Sequence, residues 1–375
     1  MLPTKFLYET VEKLKIDNDQ LMELLVRHSS TLSDQYSVLI ADPENLEHVL
    51  HGKLPRFFVS FPSQEIELPP ATQKNYTVTA IDGSQIVSDD LDVHVSPFVL
   101  INVGLIQTNY PRKEVVRFEA IPQLICEQNA GKNMTRDVSI YRTRCEFTVA
   151  QESIMSMEES NVLLMDGGLL QWHLTENLDQ LKEETLSLVS STLQLSKEKK
   201  VHMLGYISGT AATDVLGSLR ALHCTQDSFV CKDCKDSFCH LADQIQDKTL
   251  FTEVLSEGLK SDWRISPLFK SNAPMISTYY QQNIYFFYLY NQFEFARIEC
   301  TEYSISNLSY VVSVLLDQLE KGFGYPVVLQ EAHELAILQN RDKIMIEECL
   351  IESLKQNKGI PGCRFKNLAK KVKYI

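Results

Sequence analysis

The sequence predicts an α/β protein in which a mixed sheet, an antiparallel meander plus parallel strands, is flanked by helices. Short apolar runs follow one another closely after residue 75, which is typical of a meander. Amphipathic segments of helical length then separate two further apolar runs, as in strands joined by helical crossovers. Helical periodicity also marks both ends of the chain, which predicts an N-terminal helical arm and a C-terminal helical extension.

The N-terminal arm is predicted over residues 1–70. Apolar residues recur at helical spacing between residues 4 and 28, for example Phe6, Val11 and Leu14, and a less regular stretch follows. All of the predicted strands lie in residues 71–375, which we expect to form a second domain.

Three predicted strands open this second domain. Tyr76–Asp82 alternates in polarity, and Phe98–Tyr110 and Val115–Ile121 follow it. The tripeptide Pro111-Arg112-Lys113 marks the turn between the last two strands. Because the connections are short, we expect the strands to pair as antiparallel neighbours.

Two helical segments alternate with two further strands after the meander. Residues 138–159 fit a helix that leads into the strand Val162–Met165. A second helix is predicted from about Thr175, a good N-cap residue, to about Ser196, and the strand Lys200–Ile207 follows.

A strand–helix–strand crossover makes parallel neighbours, so the strand ending at Asp166 can lie beside the strand ending at Asp82. Three antiparallel strands followed by helix, strand, helix and strand form the ribonuclease-H-like order. In that arrangement the catalytic carboxylates come from the first strand, the first helix and the fourth strand.

The C-terminal part carries further elements. Ile284–Tyr290 and Phe293–Cys300 flank a short turn and predict an aromatic hairpin, both of whose faces we expect to be covered by protein. Tyr325–Leu329 is predicted to be a strand that runs into Glu331-Ala332-His333-Glu334, and an amphipathic helix is predicted from there to about residue 356.

Two of the apolar runs end in an aspartate followed by glycine. Asp82 precedes Gly83, and Asp166 precedes Gly167. Glycine lets a backbone and a bulky ligand approach closely, and carboxylates are hard oxygen ligands for divalent cations. The pair therefore predicts a metal-binding edge that performs chemistry on phosphate, although a single Asp-Gly after a strand is often only a turn signal.

The third carboxylate is expected in the first helix of this order. We choose Glu146, because Glu152, Glu158 and Glu159 fall toward the end or the exposed face of the helix. The alternative for Glu146 is a solvated glutamate on the helix surface.

The apolar segments and the charge of the chain limit the classes of protein to which it can belong. No segment approaches the length of an apolar membrane span, and the charged start of the chain does not resemble a signal peptide, so we expect a soluble cytoplasmic protein. The net charge is −13, which argues against a nucleic-acid partner unless positive charge is concentrated locally. After Glu352 every charged residue is basic, and this tail, residues 355–375, either tracks a polyanion or only aids solubility.

The nine cysteines predict no disulfide framework, since most of them sit singly in apolar runs. Four further cysteines lie close together in a predicted insertion at about residues 223–245. A structural Zn²⁺ there is the minority interpretation, because the spacing fits no standard zinc pattern, and free or redox-sensitive thiols are favoured. Its candidate ligands are Cys224, Cys231, Cys234 and Cys239.

Five motifs occur in the order that is seen in NurA nucleases, so residues 76 to 373 resemble a bacterial NurA domain. The resemblance implies a metal-dependent 5′ to 3′ exonuclease that also cuts single-stranded DNA, typically with manganese. It further implies a dimer that acts with a hexameric HerA translocase in DNA end resection. The motifs are Ala80-Ile81-Asp82-Gly83-Ser84-Gln85-Ile86, Ile101-Asn102-Val103-Gly104, Leu164-Met165-Asp166-Gly167, Gly205-Tyr206-Ile207-Ser208 and Glu331-Ala332-His333-Glu334.

The resemblance also implies roles for individual residues. The family's two aspartates, helix glutamate, late histidine and nearby tyrosine correspond to Asp82, Asp166, Glu146, His333 and Tyr325. We expect Asp82 to bridge two Mn²⁺ or Mg²⁺ ions, Asp166 and Glu146 to complete one site, and His333 to bind the other ion or to move a proton.

This sequence departs from the family pattern at two positions. Gly168 stands where a serine is common, and Gly209 stands where an arginine is often found. Loss of that arginine could weaken the grip on the scissile phosphate. Two other functions therefore stay open: a catalytically weakened adaptor that binds DNA and a translocase, and a metal phosphatase on the same sheet.

Overall fold

The computed structural model describes most of the chain. The described residues form two compact units, which we call the carboxylate unit and the aromatic unit. The carboxylate unit lies within residues 74–166, 171–201 and 326–375, and the aromatic unit lies within residues 1–73, 167–170 and 202–325. The described residues are 4–41, 49–50, 53, 58–60, 66, 68–69, 75–88, 98–126, 137–224, 235–255, 262–273 and 275–358.

The carboxylate unit confirms the predicted meander. Strands β2 (Tyr76–Val87), β3 (Phe98–Tyr110) and β4 (Glu114–Cys126) pair as antiparallel neighbours. They are preceded in the chain by β1 (Phe58–Ser60), which belongs to the other unit. The antiparallel pairing is therefore as the sequence predicts, but the first strand does not end at Asp82: it continues to Val87, and Asp82 pairs with Gly104 within the ladder.

The first helical crossover leads to a strand that pairs in parallel with the first strand of the meander. Helix α1 (Thr4–Ala41) lies in the aromatic unit, so the first helix of the carboxylate unit is α2 (Val138–Ser156). It leads to β5 (Val162–Asp166), which pairs with β2 in parallel with Ile81 opposite Met165. The next residues, Asp82 and Asp166, consequently stand side by side where the parallel pairing ends, Asp82 within β2 and Asp166 at the last position of β5.

The second crossover helix begins later than predicted. Helix α3 spans Gln180–Glu198, and its N-cap is Asp179, whose carboxylate accepts a hydrogen bond from the Lys182 backbone N–H at 3.0 Å. Thr175 instead follows a short 3₁₀ turn, Trp172–Leu174, and its hydroxyl donates to the Trp172 carbonyl. Aspartate and threonine are both good N-cap residues. The helix begins after Asp179 because Thr175 instead ends the 3₁₀ turn.

The predicted strand at Tyr325–Leu329 is wrong. Helix α9 covers Val327–Ala336, directly after Pro326, and helix α10 covers Asn340–Lys358. Val328 and Leu329 are fully buried. Contact with the sheet outweighed the strand preference of the two valines, because β-propensity depends strongly on packing.

The aromatic unit has its own antiparallel strands. Their order is β1, β8 (Phe269–Asn272), β9 (Ile284–Tyr290), β10 (Phe295–Thr301) and β6 (His202–Ile207), and β7 (Arg264–Ile265) pairs with β9. The predicted aromatic hairpin is confirmed as β9 and β10. Almost all of its residues are buried, so both faces are covered by protein as expected.

Helices complete this unit. Leu32 and Leu39 of α1 share one buried core with Phe251 and Tyr288, so this helix packs within the aromatic unit. The division of the chain into an arm, 1–70, and a domain, 71–375, stays a prediction. The other helices are α4 (Asp214–His223), α5 (Ser237–Gln244), α6 (Asp247–Thr249), α7 (Glu302–Ile305) and α8 (Leu308–Lys321), with π-helical turns at Leu250–Val254 and Ile276–Tyr280.

A buried ionic network lies in the same unit. Glu299 on β10 accepts a hydrogen bond from Arg297 Nε at 3.0 Å and another from the Leu170 backbone N–H at 2.9 Å. Arg297 also forms an ion pair with Asp214, and its guanidinium carbon lies 3.7 Å from the centroid of the Phe286 ring. The network therefore holds the segment that follows Asp166 in the chain.

Among the described residues, no helix is both long enough and apolar enough to cross a membrane.

Candidate metal centre

Three side chains meet at the edge of the sheet in the carboxylate unit. Asp82, Asp166 and His333 each offer one ligand atom, and these atoms all lie within 4.8 Å of one another. Asp82 Oδ2 is 2.6 Å from His333 Nδ1. Within the part of the chain that the structure describes, this is the one group of three or more potential ligands so close together.

Asp82 is held in a fixed orientation. It is buried, with 7% of its surface exposed, and its Oδ1 accepts a hydrogen bond from the Gly83 backbone N–H at 2.7 Å. Its other oxygen faces His333. A carboxylate anchored through one oxygen presents the second without loss of side-chain freedom on binding, which favours a metal ligand.

His333 is delivered by helix α9, which lies directly against β3. A Cβ atom on Gly104 would stand 2.1 Å from the Ala332 carbonyl oxygen, so only glycine allows this approach. Asn102 Nδ2 donates hydrogen bonds to the carbonyls of Leu335 at 2.8 Å and Ala336 at 3.1 Å. Since the last carbonyls of a helix lack partners within it, the polar side chain of β3 completes the end of α9.

Gly104→Ala should displace α9 and with it His333. The added methyl group would overlap backbone atoms of the helix, and backbone cannot yield as a flexible side chain can. We expect a loss of about 1–3 kcal/mol in stability, as for overpacking in a core, together with weaker metal binding. Urea denaturation and calorimetric titration with Mn²⁺ measure the two effects; a variant with wild-type stability and metal affinity would contradict this placement of α9.

Glu146 lies beside this cluster. It is buried, and a Cβ atom on Gly83 would stand 2.4 Å from Glu146 Oε1, so the carboxylate rests against the backbone next to Asp82. Burial raises the pKa of Glu146 to about 8, the charge of Arg142 opposes that rise, and the charges of Asp82 and Asp166 add to it. A divalent cation would relieve the repulsion among these three carboxylates.

The other predicted residues have different positions. Glu152, Glu158 and Glu159 are exposed, and Glu159 pairs with Lys200 at 2.8 Å. Tyr325 belongs to the aromatic unit, where its ring packs edge to face on Tyr206 at 5.4 Å.

The structure describes only part of the cysteine insertion. Cys231 and Cys234 lie outside the described residues, and so does most of the basic tail, residues 359–375. Cys224 and Cys239 are described, and neither forms a disulfide bond.

Sequence reasoning missed Arg142. Its Nε lies 3.4 Å from Glu146 Oε1, one helical turn away. The spacing of four residues between Arg142 and Glu146 was visible in the sequence and could have indicated the pair.

The donor set suits a divalent metal ion. Carboxylate oxygens are the ligands preferred by Mg²⁺ and Mn²⁺, and an imidazole is compatible with Mn²⁺. The mixed sheet together with carboxylates and a histidine at one edge defines an α/β protein of the ribonuclease-H-like class.

The chain belongs to the NurA domain family, which matches residues 76–337. A solved structure shares the fold: the NurA nuclease from Sulfolobus solfataricus aligns over 97% of this chain and 100% of its own, with 16% identity and a TM-score of 0.55. The catalytic domain of human endonuclease V aligns over 84% of this chain and 96% of its own, with 12% identity, but its TM-score of 0.33 is too low to support a conclusion. No curated protein matches the chain.

Proposed function

We propose that this protein is a metal-dependent DNA nuclease whose ions are held by Asp82, Asp166, His333 and Glu146. The convergence of the first three side chains within 4.8 Å carries the proposal. Residues from β2, β5 and α9 are far apart in the chain, and a purely structural requirement does not explain why ligand-type side chains meet there. Membership of a family with a solved nuclease supports the substrate class.

Each residue contributes in a way that follows from its environment. Divalent ions supply positive charge that stabilises the attacking and leaving oxygens of a phosphodiester. Asp82 and Asp166 would hold the ions. They lie on neighbouring parallel strands, whose register fixes the distance between the two carboxylates. His333 has 56% of its side chain exposed and is oriented by Asp82, so its imidazole can take up or release a proton at the edge of the site.

The finer assignments follow from the family resemblance. We propose Mn²⁺ as the preferred metal, two ions per site, and 5′ to 3′ exonuclease activity with single-strand endonuclease activity. We also propose cytoplasmic action in end resection and double-strand break repair, as a homodimer that works with a HerA-type translocase. We propose Tyr325 as a catalytic residue on the family resemblance alone.

The apolar N-terminal helix and aromatic hairpin are the two elements from which the sequence predicts the surface of a homodimer. The aromatic hairpin is buried inside its own sheet, and α1 shares a core with Phe251 and Tyr288. The hairpin is therefore covered within the described part of the chain, whereas α1 also exposes Met22, Val26 and Val38.

End-labelled DNA provides the test of the main proposal. The purified protein should release nucleotides from a labelled 5′ end in Mn²⁺ and should release none in EDTA. A protein that binds this DNA without cutting it in Mn²⁺, Mg²⁺ or Co²⁺ would be an adaptor. A protein that hydrolyses only small phosphate esters would be a phosphatase on the same fold.

A further inference from the structure

A single arginine adjoins the carboxylates of the metal centre. Arg142 and Glu146 lie on the same face of α2, one turn apart, and Arg142 Nε is 3.4 Å from Glu146 Oε1. Their environments differ, since 41% of the Arg142 side chain is exposed and only 12% of the Glu146 side chain is. Arg142 therefore lies between the buried carboxylate and solvent, where a substrate would approach.

The charge of Arg142 influences the pKa of two neighbouring groups, Glu146 and His173. It opposes the rise in the pKa of Glu146. After burial, it is also the largest influence that lowers the pKa of His173, and Lys182 adds to it. His173 lies in the 3₁₀ turn, where its Nε2 is 3.4 Å from Thr143 Oγ1. Arg142 and Lys182 therefore lie close enough to His173 to act on it electrostatically, and burial together with both charges favours the neutral form of His173.

The ion pair with Glu146 does not satisfy the guanidinium. Arg142 Nε is shielded from solvent and has no hydrogen-bond partner among the described residues. A planar guanidinium can donate two parallel hydrogen bonds to a phosphate group.

We propose that Arg142 is a catalytic residue that binds the non-bridging oxygens of the scissile phosphate. The inference rests on the proposed nuclease function. In the reaction, water forms a new P–O bond, the ester P–O bond breaks, and the proton from water passes to the leaving alkoxide. Arg142 keeps its own proton throughout.

The alternative is that Arg142 acts only through its ion pair with Glu146. If Arg142 only keeps that carboxylate ionised, its loss would weaken the metal site and leave phosphate binding intact. Saturating Mn²⁺ or a higher pH would then restore activity. A phosphate-binding role predicts a defect that persists under both conditions.

The test compares Arg142→Ala and Arg142→Lys with the control Arg144→Ala. Arg144 lies on the same helix and carries the same charge, but it pairs with Glu184 at 3.0 Å and both side chains are well exposed. The measurements are kcat and KM on a labelled oligonucleotide at saturating Mn²⁺, Mn²⁺ affinity by calorimetry, and affinity for the same oligonucleotide in EDTA. Circular dichroism checks folding, and the lysine variant serves if the alanine variant is unfolded.

We expect Arg142→Ala to lower kcat about 10²- to 10³-fold, as loss of one transition-state donor does, with Mn²⁺ affinity unchanged or tighter. Added guanidinium ion should restore part of the rate, and Arg142→Lys should fall between the wild type and the alanine variant. DNA affinity in EDTA should fall for Arg142→Ala and stay within about twofold for Arg144→Ala, whose phosphate contacts are unaffected.

Equal behaviour of the Arg142 and Arg144 variants in cleavage and in binding would overturn the inference. So would full recovery of Arg142→Ala at saturating Mn²⁺ and higher pH. A wild-type protein that cuts no DNA overturns the proposed function instead, and the binding comparison in EDTA still decides whether Arg142 contacts phosphate.

Discussion

Asp82→Asn and Asp166→Asn should each abolish DNA cleavage, with a loss of about 10³-fold or more, because removing a carboxylate ligand loses several kcal/mol of charge stabilisation in the transition state. Asparagine has nearly the same shape as aspartate, and at position 82 its amide oxygen can still accept the hydrogen bond from the Gly83 N–H. The fold should therefore remain intact. The measurement is the rate of nucleotide release in Mn²⁺, with Glu152→Gln as the matched control on the exposed face of α2.

The same variants should differ from the wild type in thermal stability. Burial is the main cause of the raised pKa of Glu146, and the charges of Asp82 and Asp166 add to it, so the three carboxyl groups are crowded without metal. Removing one of these charges should raise the Tm in EDTA. Mn²⁺ should raise the Tm of the wild type and have little effect on either variant. Cleavage at the wild-type rate by either asparagine variant would rule out the proposed centre.

Glu299→Ala should destabilise the protein by about 3–5 kcal/mol, the range for breaking a buried ion pair by removing one partner. Glu299 and Arg297 are both almost completely buried, with 3% and 4% of their side chains exposed. The substitution leaves a guanidinium with one carboxylate partner fewer and leaves the Leu170 N–H without its acceptor. The urea midpoint of unfolding measures the change.

Two further variants separate the ionic contribution from the hydrogen bond. Glu299→Gln keeps an oxygen for the Leu170 N–H and should cost less than Glu299→Ala. The double variant Arg297→Met with Glu299→Leu removes both charges and should recover much of the stability, since apolar residues often replace buried ion pairs without loss. Equal destabilisation by the alanine and glutamine variants would show that the hydrogen bond to the Leu170 N–H contributes little and that the charge of Glu299 accounts for the loss.

The parallel edge of the sheet and its two aspartates could be predicted from the sequence. Two apolar runs that each lead into Asp-Gly predict two strands, and a helical segment between them predicts a parallel crossover, although β2 continues past Asp82 to Val87. The observed pairing of Ile81 with Met165 follows from these two local signals. Glu146 could be chosen over Glu152 because helical periodicity separates buried from exposed positions.

Features set by contacts between distant residues could not be predicted. Val327 and Val328 favour a strand locally, but the segment forms a helix whose later residues pack against Gly104 of a strand more than 200 positions earlier in the chain. The partners of Arg297 lie at Asp214 and Glu299, and nothing in a single sequence connects the first of these with β10. The buried network therefore becomes visible only when the chain is folded.

The contact between Asp82 and His333 joins residues 251 positions apart in the chain. Closing a flexible loop of that length costs about 5 kcal/mol of chain entropy. An ion held by both residues would act as a reversible cross-link in the polymer sense, since it binds the folded chain and not the unfolded one. The supply of metal would then set the lifetime of the folded protein as well as its activity.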